Sequence, residues 1–152
     1  MRKMKFLMIC VLIVVSSIVY AGYIGNFRNL GGATQFDRIE VVNNDVSWDG
    51  PVVMKRGINQ EFKCSFTAPY SCGSVEVKGY WVISGIPIPI TIPGPLPTYG
   101  MTLPLIKDQN YVCHVIIPCS KNDPSMACKL RIELLDHEKK LIAGAEMAVK
   151  LK

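Results

Sequence analysis

The chain has 152 residues, with 17 Lys and Arg against 12 Asp and Glu. Arg2, Lys3 and Lys5 precede a charge-free run from Phe6 to Ser17, and Val19-Tyr20-Ala21 stands before Gly22. A basic start, a short apolar stretch and small residues at both recognition positions predict a secretory signal peptide cleaved after Ala21, which divides the chain into a signal at 1–21 and one domain at 22–152. A spanning anchor is excluded on this reading, because no later run reaches the ~20 apolar residues that a membrane helix needs.

Without residues 1–21, the remaining 131 residues carry 14 basic side chains (17 less Arg2, Lys3 and Lys5) and 12 acidic ones, a balance of +2. So small an excess argues against an electrostatic nucleic-acid binder, and 131 residues suit one domain with its own core. Cys64, Cys72, Cys113, Cys119 and Cys128 remain. An oxidising compartment then allows at most two disulfides and leaves one odd thiol.

Along the chain the dominant pattern is period two, the mark of half-buried strands. Ile39 and Val41 begin it. Ile58, Phe62, Cys64 and Phe66 share a parity in which only Gln60 is polar, and Val75, Val77, Trp81 and Ile83 alternate with Ser74, Glu76, Lys78 and Tyr80. Tyr111 to Ile117 supplies another strand. Cys128, Leu130, Ile132 and Leu134 alternate with Lys129, Arg131 and Glu133, and Ala145, Met147, Val149 and Leu151 close the series. Leu134 to Lys150 has a helix-favouring composition, but Asp136-His137-Glu138-Lys139-Lys140 reads as a turn and the alternation beyond it as a strand. About seven strands separated by Gly, Pro, Asn and Asp turns predict an all-β fold, an antiparallel sandwich of immunoglobulin-like size.

Five of the ten prolines fall between positions 87 and 97. Proline lacks a backbone N–H, so this stretch is predicted at a sheet edge rather than in a fully paired central strand. If extended, it points Ile86, Ile88, Ile90 and Ile92 to one side and Pro87 and Pro89 to the other. Such a comb either lines an opening between two sheets or closes the core.

The cysteines are spaced as loop closures: Cys64 and Cys72 flank Thr67 to Tyr70, and Cys119 and Cys128 flank Lys121 to Pro124. This predicts two disulfides with Cys113 left over, and a Cys64–Cys113 bridge is the alternative. Neither His114 nor His137 has metal-ligand spacing to the cysteines. Asp45 and Asp49 lack the spacing of a calcium loop, and no phosphate loop or nucleophile elbow appears. The expectation is a binding protein, with no catalysis, no cofactor and no metal.

Ordered motifs then resemble the small secreted ML lipid-recognition family, which includes the soluble Niemann-Pick type C sterol carrier, the ganglioside activator and the group 2 mite allergens. Phe27-Arg28-Asn29-Leu30-Gly31 is similar to the family's opening Phe-Lys-Asp-Cys-Gly, and Gly85-Ile86-Pro87-Ile88-Pro89-Ile90 to Gly-Val-Pro-Val-Pro-Phe. Leu103-Pro104-Leu105-Ile106-Lys107-Asp108-Gln109-Asn110-Tyr111 resembles Cys-Pro-Ile-x-Lys-(Asp/Gly)-x-x-Tyr, and Asp123-Pro124-Ser125 a Tyr-Pro-Ser turn. The cysteine framework departs from the family: its first and last cysteines, normally bridged, fall at Leu30 and near Ala143-Gly144.

The resemblance implies a lipid held between splayed sheets, with Phe66, Trp81, Ile90, Ile117, Cys119 and Pro124 as pocket residues beside Ile86 and Ile88. It implies a secreted or endolysosomal monomer that carries a sterol, a fatty acid or a glycolipid and meets a membrane surface or a lipid-accepting receptor. Gly94-Pro95-Leu96-Pro97-Thr98-Tyr99-Gly100 is similar to the ganglioside activator's Pro-Leu-Arg-Thr-Tyr-Gly, so a glycolipid or phospholipid presenter is one alternative. An innate-immune module for a microbial lipid is another.

Overall fold

The computed structural model describes residues 21–93 and 97–152. The signal-peptide expectation for residues 1–20 lies outside these, as do residues 94–96 of the proline segment.

Ten strands form two sheets. β1 (Ala21–Ile24), β3 (Arg38–Val42), β5 (Gln60–Thr67) and β8 (Asn110–Ile117) make a four-stranded sheet in the order β1-β3-β5-β8. The second sheet runs β2 (Phe27–Asn29), β10 (Leu141–Leu151), β9 (Met126–Leu135), β6 (Glu76–Ile83) and β7 (Ile86–Ile90), and β4 (Val52–Met54) also joins β10. Every pairing is antiparallel except β4 with β10. This is the expected two-sheet sandwich, with ten strands where the alternation suggested about seven; the three-residue strands β2 and β4 are too short to show a period.

The alternation translates directly into burial. In β5, Gln60, Phe62, Cys64 and Phe66 are buried while Glu61, Lys63, Ser65 and Thr67 are half-exposed. Gln60, the polar member of the buried set, donates to Val42 O at 2.8 Å and Glu61 O at 3.1 Å and accepts from Asn44 Nδ2 at 3.0 Å. A buried amide satisfied in this way escapes the desolvation cost of an unpaired polar group. Ile58, of the same parity, precedes the strand and is exposed.

Leu134 to Lys150 is the β9–β10 hairpin, as the polar turn suggested. Asp136 organises the turn: Oδ1 accepts from the Glu138 N–H at 2.8 Å and the Lys140 N–H at 3.0 Å, and Oδ2 accepts from the Tyr70 hydroxyl at 2.6 Å. Burial of Leu130, Ile132, Ala145 and Met147 against the opposite sheet outweighs the helix propensity of Glu, Lys and Ala here.

The cysteine expectation needs correction. β5 pairs with β3 and β8, and β6 with β9 and β7, so Cys64 and Cys72 do not face each other across a hairpin. Cys119 and Cys128 likewise follow and lie in strands of different sheets. Cys64 instead stands directly opposite Cys113 in the β5–β8 ladder. Two strands consecutive in sequence crossed between sheets, which the spacing of turns did not reveal.

Candidate binding cleft at the sheet edge

β7, with prolines at 87 and 89, is the outer strand of the second sheet and, among the described residues, pairs with β6 alone. Its register fixes its faces. Ile88 lies opposite Trp81 and Ile90 opposite Gly79; Trp81 and Gly79 in turn lie opposite Leu130 and Ile132, both fully buried. Directly opposed residues share a face of the sheet, so the isoleucines belong to the inner face, the one that covers the core. Yet Ile86 is 65% exposed and Ile88 44%. The first sheet therefore does not cover the inner face at this edge, and the comb lines an opening.

Past the end of β7 an open concavity of about 400 Å³ lies along β6, lined by Val77, Gly79, Ile90 and Ile92 of the inner-face parity, by Tyr99, and by Pro89 of the opposite parity. Gly79 shapes its floor. A Cβ there would stand 3.1 Å from Ile92 Cδ1 and 3.6 Å from Ile117 Cδ1, so a larger residue would fill the space between the comb and β8. Tyr99 comes from a 3-10 turn, Pro97–Gly100, in which Thr98 and Tyr99 both have positive φ. Gly100 packs on the outer side of β8, where an added Cβ would lie 2.8 Å from the His114 ring. That ring bonds Glu61 at 2.9 Å through Nδ1. The turn thus spans from the outside of the first sheet to the mouth of the cleft. Glu76, Lys78 and Tyr80 complete the rim, which supplies polar contacts beside an apolar floor.

Of the residues expected in a pocket, Ile90 lines the cavity and Ile117 lies under it beside Gly79. Ile86 and Ile88 form the open edge, and half-buried Trp81 stands beside Ile88. Phe66 is deeper, packed edge-on against Phe36 at 6.2 Å between ring centres and stacked on Tyr111 at 5.9 Å. Cys119 is buried in the core. Pro124 is exposed on the turn before β9 and lines none of this cleft. Val77 and Gly79, which share the parity of Trp81, and Tyr99, beyond the end of the comb, complete the lining.

The geometry defines an immunoglobulin-like sandwich with an open cleft of mixed apolar and polar lining at the β6–β7 edge. The Niemann-Pick type C2 protein from Japanese carpenter ant has this fold: the match has a TM-score of 0.76 at 20% identity and covers 84% of this chain and 99% of that one. Chicken MD-1, solved in complex with lipid IVa, aligns with a TM-score of 0.48 at 13% identity over 82% of this chain and 98% of its own. The chain matches no protein-family model and no curated protein.

Proposed function

We propose that this is a secreted, non-enzymatic lipid-binding and transfer protein of the ML type, which holds an apolar lipid, a sterol or a fatty acid, between its two sheets. The observation that carries the reading is the isoleucine comb, which sits on the inner face of the sheet while Ile86 and Ile88 stay open to water. Supporting it are the order of the motifs, the fold shared with the ant Niemann-Pick type C2 protein, and Leu30. The Leu30 N–H donates to Gly144 O at 3.0 Å, so the two positions where the family places its terminal disulfide are in contact here.

Burial alone can drive the binding. Removing ~500 Å² of lipid surface from water contributes roughly 12 kcal/mol gross, against association costs of about 4–15 kcal/mol. A cavity of about 400 Å³ is at the lower end for ligand sites, so a long lipid enters by parting the sheets at the β7 edge. Lipid mass spectrometry on protein purified from its native source tests the reading: a sterol or fatty acid near equimolar ratio is expected, and an empty protein that also fails to bind any added lipid contradicts it. Glycolipid in the same extract would favour the second reading, a glycolipid presenter, for which the Tyr99 segment at the cleft mouth speaks.

Secretion carries two covalent consequences. The mature chain begins at Gly22, and the bridge formed joins Cys64 to Cys113. Burial, and then the proximity of Cys113, pushes the Cys64 thiol well above its usual range, and burial pushes Cys113 up to about 12. Thiolate is the reactive form, so this bridge forms before β5 and β8 are packed. N-terminal sequencing and non-reducing peptide mapping check both; a retained apolar leader or a Cys64–Cys72 peptide is the contrary result.

A further inference from the structure

On the outer face of the second sheet, away from the cleft, Glu146 of β10 is only 4% exposed in its side chain and is ringed by three cations. Arg131 donates to Oε2 from Nε at 3.1 Å and from Nη2 at 3.0 Å; Arg28 Nη2 stands 3.3 Å and Lys129 Nζ 3.5 Å from Oε1. Burial by itself would raise the Glu146 carboxyl, but the Arg131 hydrogen bonds and the charges of Arg131 and Arg28 outweigh it and hold the group below the usual glutamate range. One ionised carboxylate against three cations leaves two positive charges uncompensated. All four side chains line a single concavity of about 500 Å³, whose wall is completed by Val82, Ser84, Gly85 and Cys128.

Glu146 is the only acid in that lining among the described residues. The next acid along β9, Glu133, lies opposite Lys78 in the ladder, and Glu76 is paired with Lys139. Arg28 and Lys129, 70% and 61% exposed, have donors free of Glu146. Glu146 therefore acts as a brace: it aligns three cations without neutralising them, and Arg131 in particular is held by two bonds in a fixed orientation. Charge-assisted donors aligned in this way suit a planar-to-tetrahedral oxyanion.

We propose that this concavity is an anion site that takes a phosphate-type oxyanion, with Arg28, Lys129 and Arg131 as its donors. The inference does not rest on the lipid reading of the cleft, since the site lies on the opposite face of the sheet. The same chemistry is offered by free phosphate and by a phospholipid head group, and two arms separate these sources. In the first, inorganic phosphate is titrated into the protein while the Arg131 Nε–H resonance is followed by NMR. In the second, co-sedimentation is compared between vesicles of phosphatidylcholine alone and vesicles with added phosphatidic acid.

Each arm is repeated on Arg28→Ser/Lys129→Ser and on Lys107→Ser/Lys121→Ser, a pair that removes the same charge elsewhere on the surface. The expected result is a saturable response in at least one arm, weakened about tenfold or more by the first double variant and little changed by the second. A response to phosphate identifies a soluble anion; a response confined to phosphatidic acid vesicles identifies a head group. No response in either arm, or equal losses in the two double variants, overturns the proposal.

Discussion

Ile132→Asp is expected to abolish cooperative folding, whereas Ile90→Asp is expected to leave the lipid-free domain folded and to remove its lipid binding. Ile132 is fully buried on the inner face of β9, between Ala145 of β10 and Gly79 of β6. A carboxyl there has no partner and no water, so its burial, charged or neutralised, costs several kcal/mol and the packing of Ile132 is lost as well, together comparable to the 5–15 kcal/mol typical of a whole domain's stability. Ile90 shares that face but sits at the edge, half-buried beside the open cavity. Its carboxylate stays hydrated until a lipid tries to pass. Calorimetry and displacement of a fluorescent fatty acid separate the two variants. Equal instability, or a folded Ile90→Asp protein with native affinity, runs against a lipid entrance at the comb.

Glu146→Gln is expected to lower stability by about 2 kcal/mol near neutral pH, the scale of lost hydrogen bonds to a charged group, and to flatten the acid limb of the stability curve. The sign follows from the direction of the shift. The folded carboxyl lies below its usual value, so its contribution is complete above the ordinary glutamate range and is lost as pH falls through the lowered folded value. Asp136, held down by the Tyr70 hydroxyl against its partial burial, acts in the same direction in both proteins. The difference between wild type and variant isolates Glu146. Urea unfolding across the acid range measures it, and parallel curves for the two proteins contradict the role assigned to this carboxylate.

The strands were legible wherever one face is wet. β5 alternates throughout, and β9 as far as Leu134, because each sheet has a solvent side, and Asp136 to Lys140 announced its turn through side chains that cap their own backbone. The edge position of the comb was legible for a covalent reason, since proline cannot donate to a second neighbour. What the pattern could not carry was which strands share a sheet. Period two is the same in a hairpin and in a crossover between sheets, so Cys64 read as the partner of Cys72 when the ladder places it against Cys113.

The cleft was partly legible for a similar reason. Ile90 and Ile117 are found by alternation and resemblance, but Tyr99 reaches the mouth through two consecutive residues of positive φ, and neither Thr98 nor Tyr99 is a residue type that signals such a backbone. Pro124 shares a turn motif with the family yet stays on the outside. The Glu146 site left no sequence signal at all, because Arg28 arrives from a three-residue strand more than a hundred positions away.

If lipid enters between the sheets at the β7 edge, as proposed, the chain offers a reporter at that place. Of its two tryptophans, Trp48 is exposed, far in sequence from the comb, and Trp81 stands beside Ile88 on the inner face. In a Trp48→Phe protein, titration with a fatty acid brominated along its chain should quench the Trp81 emission saturably, at one lipid per protein, and Ile90→Asp should abolish the quenching. Lipid binding that leaves Trp81 unquenched, with its spectrum unchanged at saturation, would place the lipid elsewhere and contradict the account.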